Sequence, residues 1–184
     1  MNTPNKLTVL RMILVPIFML FLMLGNENTA YVIAALIIFC VASVTDTLDG
    51  NMARKYNLIT DFGKFMDPLA DKMLTTAAYL GLLALGRASA WAVMLILARE
   101  FIVSGIRLVA ASGGKVIAAS VWGKIKTVFQ MVSIIAAIIL LFPFCPTQTA
   151  IIITNILVWI SALVTVISGA EYVIKNFDLI KEAK

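Results

Sequence analysis

An all-α membrane protein, polytopic with six transmembrane helices and both termini in the cytoplasm, is the fold class this sequence predicts, and three observations predict it. Apolar residues make up 61% of the 184 and charged residues only 14%, whereas a soluble domain is nearer half apolar and about a quarter charged. Six stretches approach the roughly 20 apolar residues needed to cross about 30 Å of hydrocarbon. Lysine and arginine gather on alternate connections between those stretches, the bias that cytoplasmic loops carry.

The stretches cover residues 7–24, 29–52, 63–85, 89–110, 124–142 and 149–174. Thr3 before Pro4 suits a helix start, threonine as cap and proline in the first turn, and Pro16 is expected to kink the first span. That first run lacks the small-residue cleavage site of a secretory signal and opens into a multi-span pattern, so it reads as retained. Gly25 with Asn26, Gly86, Ser112 to Gly114, and Pro143 with Pro146 separate the apolar runs as turn chemistry requires. Little sequence is left over, and residues 1–184 read as a single membrane domain.

One predicted side holds Lys6, Arg11, Arg54, Lys55, Lys64, Lys115, Lys124, Lys126, Lys175, Lys181 and Lys184, and the other only Arg87. The formal charge of +5 is then mainly a topology signal, with attraction to anionic lipid second and no nucleic acid required. Cys40 and Cys145 are too few and too badly placed for a zinc site or a disulfide framework. With no histidine in the chain, a Ser-His-Asp triad, a Cys-His pair and histidine metal ligands are all excluded. Any chemistry has to run on carboxylates and cations.

The carboxylates that stand out are Asp46, Asp49, Asp67 and Asp71, in SVTDTLDGNMARKYNLITDFGKFMDPLADKM. On a helix Asp46 and Asp49 are about 60° apart, and Gly50 and Ala53 lie within roughly 40° of Asp46. One face therefore carries two acids beside two small residues, which open a trough for a ligand or another backbone. On the next span Gly63, Asp67 and Asp71 recur every fourth position, again on one face.

Counting about 1.5 Å per residue from the outer ends near Thr29 and Gly86, Asp46 lies about 25 Å deep and Asp71 about 22 Å. The same count puts Asp49 at about 30 Å and Asp67 at about 28 Å. Neighbouring antiparallel spans thus bring two acidic pairs level, just inside the cytoplasmic boundary. Four converging carboxylates raise each other's pKa unless cations neutralise them. All-oxygen ligation selects a hard ion, Mg²⁺ or Mn²⁺, and two such ions about 3.5 to 4 Å apart suit phosphoryl transfer. Residues 53–62 also read as an ordinary cytoplasmic loop, which suffices for Asp61. For the other four, ionisable groups at membrane depth are costly and point to function.

Reduced to its recurring positions, the segment is D-x2-D-G-x2-A-R-x8-G-x3-D-x3-D, and it resembles, without a departure, the signature of the CDP-alcohol phosphatidyltransferases. That resemblance implies displacement of CMP from a CDP-linked lipid by an alcohol hydroxyl, with two divalent cations bridging the diphosphate, in a homodimer of the cytoplasmic membrane whose site faces the cytoplasm. It implies Asp46, Asp49 and Asp67 on one metal, Asp46, Asp67 and Asp71 on the second, and Asp71 as general base. Asp49, Gly50, Ala53, Arg54 and Gly63 would accommodate CDP-diacylglycerol.

The stretches TPNKLTVLRMILVP, AREFIVSGIRLVAA and GKIKT resemble the branch whose acceptor is glycerol 3-phosphate. A dianionic acceptor needs several cations, and Arg99, Arg107, Lys124 and Lys126 fall toward the cytoplasmic side. Glu100 shares a helix face with Arg107 and is expected to orient it. These cations equally suit helix-end anchors, Lys126 and Lys115 best of all. Trp91, Trp122 and Trp159 read as interfacial or packing aromatics. Two other readings stay open: the same chemistry on inositol phosphate or serine, and a divalent-cation transporter using the acidic cluster. The transporter leaves Gly50, Ala53, Arg54 and Gly63 unexplained.

Overall fold

The computed structural model describes residues 3–55, 61–112 and 120–176, with the side chains of residues 3–4, 46–55, 61–65, 67–68, 109 and 111–112 outside the description. Six helices follow one another: α1 (Thr3–Leu24), α2 (Thr29–Lys55), α3 (Asp61–Ala84), α4 (Ala90–Ser112), α5 (Val121–Ile139) and α6 (Thr147–Lys175). No strand occurs among the described residues. α1 runs unbroken through Pro16.

The turns have local causes. Asn28 caps α2 by accepting from the Ala30 N–H at 2.9 Å. At the end of α3, Gly86 has φ +69°, and the Arg87 N–H donates to Leu82 O at 2.8 Å while the Gly86 N–H donates to Leu83 O at 2.9 Å. This is the paired closure that a left-handed glycine allows after a helix. Ser120 caps α5 by accepting from the Gly123 N–H at 3.0 Å.

Among the described residues, three helices carry stretches long and apolar enough to cross a membrane: Asn5–Leu24, Val121–Ile139 and Thr147–Lys175. The described apolar part of α2, Thr29–Thr45, is shorter, and α3 and α4 carry charged residues within their length. The outward faces suit lipid. Leu10, Ile13, Ile17 and Leu20 on α1, and Ile33, Ile37, Val41 and Val44 on α2, are exposed at helical spacing, a pattern that in water would be a liability. The inner faces hold small residues, Ala35, Ala42, Ala78, Ala92, Ala137 and Ala162, which let helices approach closely without a solvent-driven hydrophobic force. This is a membrane protein.

α1 packs against α2 and α3, α4 and α5 each pack on α6, and the two trios meet where α3 touches α4 and α5 and α2 touches α5. Phe18 on α1 and Phe39 on α2 pack as a tilted pair with ring centroids 5.6 Å apart. Gly81 on α3 lies so close to α1 that an added Cβ would sit 2.5 Å from Leu22 Cδ2. Between α5 and α6, Gln130 donates to Thr165 at 3.1 Å and Ser161 to Ser133 at 3.0 Å. Interhelical hydrogen bonds of this kind contribute about 0.6 kcal/mol each in a membrane bundle.

Candidate functional site

Where α3, α4 and α5 converge, a cavity of about 380 Å³ is lined by Asp71 and Lys72 from α3, Arg99, Glu100, Ser104 and Arg107 from α4, and Gly123, Lys124, Lys126 and Thr127 from α5. Five cations face two carboxylates there. The surplus favours an anion, and the volume suits a small ligand.

α6 lies behind this wall and sets two of its arginines. Arg99 Nη2 donates to Ser168 Oγ at 2.9 Å, and Nη1 donates to Glu100 at 3.4 Å. Beneath its stem sits Gly169, where a Cβ would come within 2.6 Å of Arg99 Cγ. Any side chain at position 169 would force the Arg99 stem to shift. One turn on, Tyr172 accepts from Arg107 Nε at 3.3 Å and presents its ring to the guanidinium carbon at 5.4 Å from the centroid, a cation–π contact. Both arginines are thereby held on one side of the cavity.

Two expectations are corrected. Lys126 is no helix-end anchor: its side chain is 8% exposed and ion-paired with Glu100, whereas an anchoring lysine extends its ammonium toward water. Its helix position explains the difference, since Lys126, Gln130, Ser133 and Ala137 form the buried stripe of α5. Glu100, expected to orient Arg107, instead bridges Lys126 and Arg99, and Tyr172 takes the orienting role.

Of the aspartates, Asp71 is described and opens into the cavity. The side chains of Asp46, Asp49, Asp67 and Arg54, and the surroundings of Gly50, Ala53 and Gly63, lie outside the description, as does Lys115 altogether. The backbone register of their helices is nonetheless fixed. Seven residues from Phe18 toward the start of α1 is Arg11, and seven on from Phe39 along antiparallel α2 is Asp46. Eleven residues back from Leu22 and from Gly81, along helices that run the same way, lie Arg11 and Ala70, the neighbour of Asp71. Positions 46 and 71 therefore fall at one level of the bundle.

Ser104, Thr127, Ser168, Gly169 and Tyr172 were missed in the sequence. A serine–glycine pair inside the Ile- and Val-rich α6 was the available signal.

The model of the family described as CDP-alcohol phosphatidyltransferase matches residues 1–167. A Bacillus subtilis (strain 168) protein named CDP-diacylglycerol--glycerol-3-phosphate 3-phosphatidyltransferase is 42% identical over 190 aligned positions, 98% of this chain and 97% of that one. A Rickettsia typhi protein of the same name is 39% identical, over 93% of this chain and 94% of its own. Among solved structures, the apo crystal structure of Mycobacterium tuberculosis phosphatidylinositol phosphate synthase superposes with a TM-score of 0.67 at 20% identity, covering 96% of this chain and 90% of that one. At that identity the likeness concerns the fold.

Proposed function

Because the chain belongs to the CDP-alcohol phosphatidyltransferase family, we propose that it transfers the phosphatidyl group of CDP-diacylglycerol to glycerol 3-phosphate, giving phosphatidylglycerophosphate and CMP. The observation that carries this reading is the shared cavity: Asp71 opens into the space walled by Arg99, Arg107, Lys124 and Lys126. An acceptor phosphate held by the arginines leaves its glycerol hydroxyl on the Asp71 side. Relatives whose names specify this acceptor, at 42% and 39% identity, support it over inositol phosphate or serine.

Enzymes of this family generally use divalent metal. The donor set fits hard cations: Asp46 and Asp71 share a level, and carboxylates without histidine or thiolate suit Mg²⁺ or Mn²⁺. In this reading Asp46, Asp49, Asp67 and Asp71 hold two such ions, which when bound neutralise the donor's diphosphate. The residues do the rest. Asp49, Gly50, Ala53, Arg54 and Gly63 seat the cytidine diphosphate. Asp71 takes the acceptor proton as the hydroxyl oxygen bonds to the phosphorus bearing diacylglycerol and the bond to CMP breaks. Phosphoryl transfer needs mainly this positioning and charge neutralisation. The full architecture proposed is six spans in one domain, both ends and the site on the cytoplasmic side of the cell membrane, in a homodimer. The skewed lysine and arginine distribution supports the orientation.

The test is an acceptor panel: purified protein with labelled CDP-diacylglycerol and each alcohol in turn. Product with glycerol 3-phosphate supports the proposal, and product with inositol phosphate or serine alone retires it.

A further inference from the structure

Arg11, counted by sequence among the cytoplasmic-side cations, is the largest fully buried side chain among the described residues, at 0% exposure. It belongs to a buried polar stripe of α1, Asn5, Thr8 and Arg11, spaced by three on one helix face. None of the three is without a partner. A guanidinium stays charged at every accessible pH, and an unpaired charge buried in a membrane bundle is costly. Among the described residues α1 touches only α2 and α3, whose acidic residues are Asp46, Asp49, Asp61, Asp67 and Asp71. The Phe18–Phe39 contact puts Arg11 level with Asp46, and the Leu22–Gly81 approach puts it level with Ala70, whose chain neighbour is Asp71.

We propose that Arg11 is a fixed counter-charge of the aspartate cluster, a positioning residue that holds the carboxylates at the Asp46 and Asp71 level together whether or not metal is bound. This rests on the reading of the four aspartates as one site. In the absence of metal, Arg11 offsets their mutual repulsion. With the site loaded, its charge leaves a net attraction for the donor's diphosphate.

The experiment is a thermal melt of purified full-length protein, in EDTA and in saturating Mg²⁺, for wild type, Arg11→Met, Arg11→Lys and Arg11→Met with Asp46→Asn. In EDTA, Arg11→Met melts about 5–10 °C below wild type, as breaking a buried pair predicts. Arg11→Lys falls less, removal of the Asp46 charge recovers most of the loss, and Mg²⁺ narrows the gap. An equal loss in EDTA and Mg²⁺, with no recovery in the double variant, overturns the proposal and makes Arg11 an ordinary packing residue. A wild type that Mg²⁺ does not stabilise overturns the metal-site reading instead, and the EDTA comparison still decides Arg11.

Discussion

The two charged regions of this protein are built in opposite ways. On α2 and α3 the carboxylates are placed by spacing along single helices, so that Asp46 with Asp49 and Asp67 with Asp71 share faces through local geometry alone. On α4 the two arginines are placed from outside, by an α6 residue 69 positions from Arg99 and another 65 from Arg107. A face set by helix spacing forms without a distant partner, even where its charges need one. The arrangement set from a distance depends on how tightly α6 is seated, so mutations should separate chemistry from acceptor affinity.

The largest effect belongs to the acidic region. Asp71→Asn keeps the shape of the residue and removes the base along with one charge of the metal set, and turnover should fall by about 10² to 10⁴ with the melting temperature and acceptor binding little changed. Near-normal turnover would rule Asp71 out as base. In the cationic region Arg107→Ala should raise the acceptor KM by roughly 10- to 100-fold, the loss of a charge-assisted contact, and leave the donor KM nearly unaltered. Equal shifts in both would dissolve the distinction between the regions.

Glu100→Gln tests the buried bridge behind the cations. It leaves Lys126 charged and buried without its counter-ion, and the melting temperature should drop by about 5 °C or more. An unchanged melt would mean that the Lys126 ammonium reaches water. Tyr172→Phe is the mildest change. It removes the hydroxyl that accepts from Arg107 and keeps the ring face, costing about 1 kcal/mol, which should appear as about a fivefold rise in acceptor KM. Loss of donor binding in this variant would show that α6 serves both substrates.

Much of the architecture was legible because apolar run length and turn residues are local signals. The stretch at 29–52 became Thr29–Lys55 and that at 149–174 became Thr147–Lys175. Helices extend past the oily segment because residues such as Ala53, Arg54 and Lys55 are still good helix formers, and hydropathy registers only the part that suits lipid. Lys126 was misjudged for a related reason. A lysine near a helix end looks like an anchor until its period with Gln130 and Ser133 is followed inward. Nothing local to Arg99 or Arg107 points to Ser168 or Tyr172, since helix packing, not sequence neighbourhood, brings them together. Gly169 was equally silent, because its value is the space it leaves beneath Arg99.

The central claim is that one cavity holds the acceptor between the α4 arginines and Asp71. Calorimetric titration of glycerol 3-phosphate into purified, Mg²⁺-loaded enzyme tests it without relying on turnover. The account predicts saturable binding to wild type and to Asp71→Asn, and its loss in the Arg99→Ala, Arg107→Ala double variant. Undiminished binding to that double variant would contradict it.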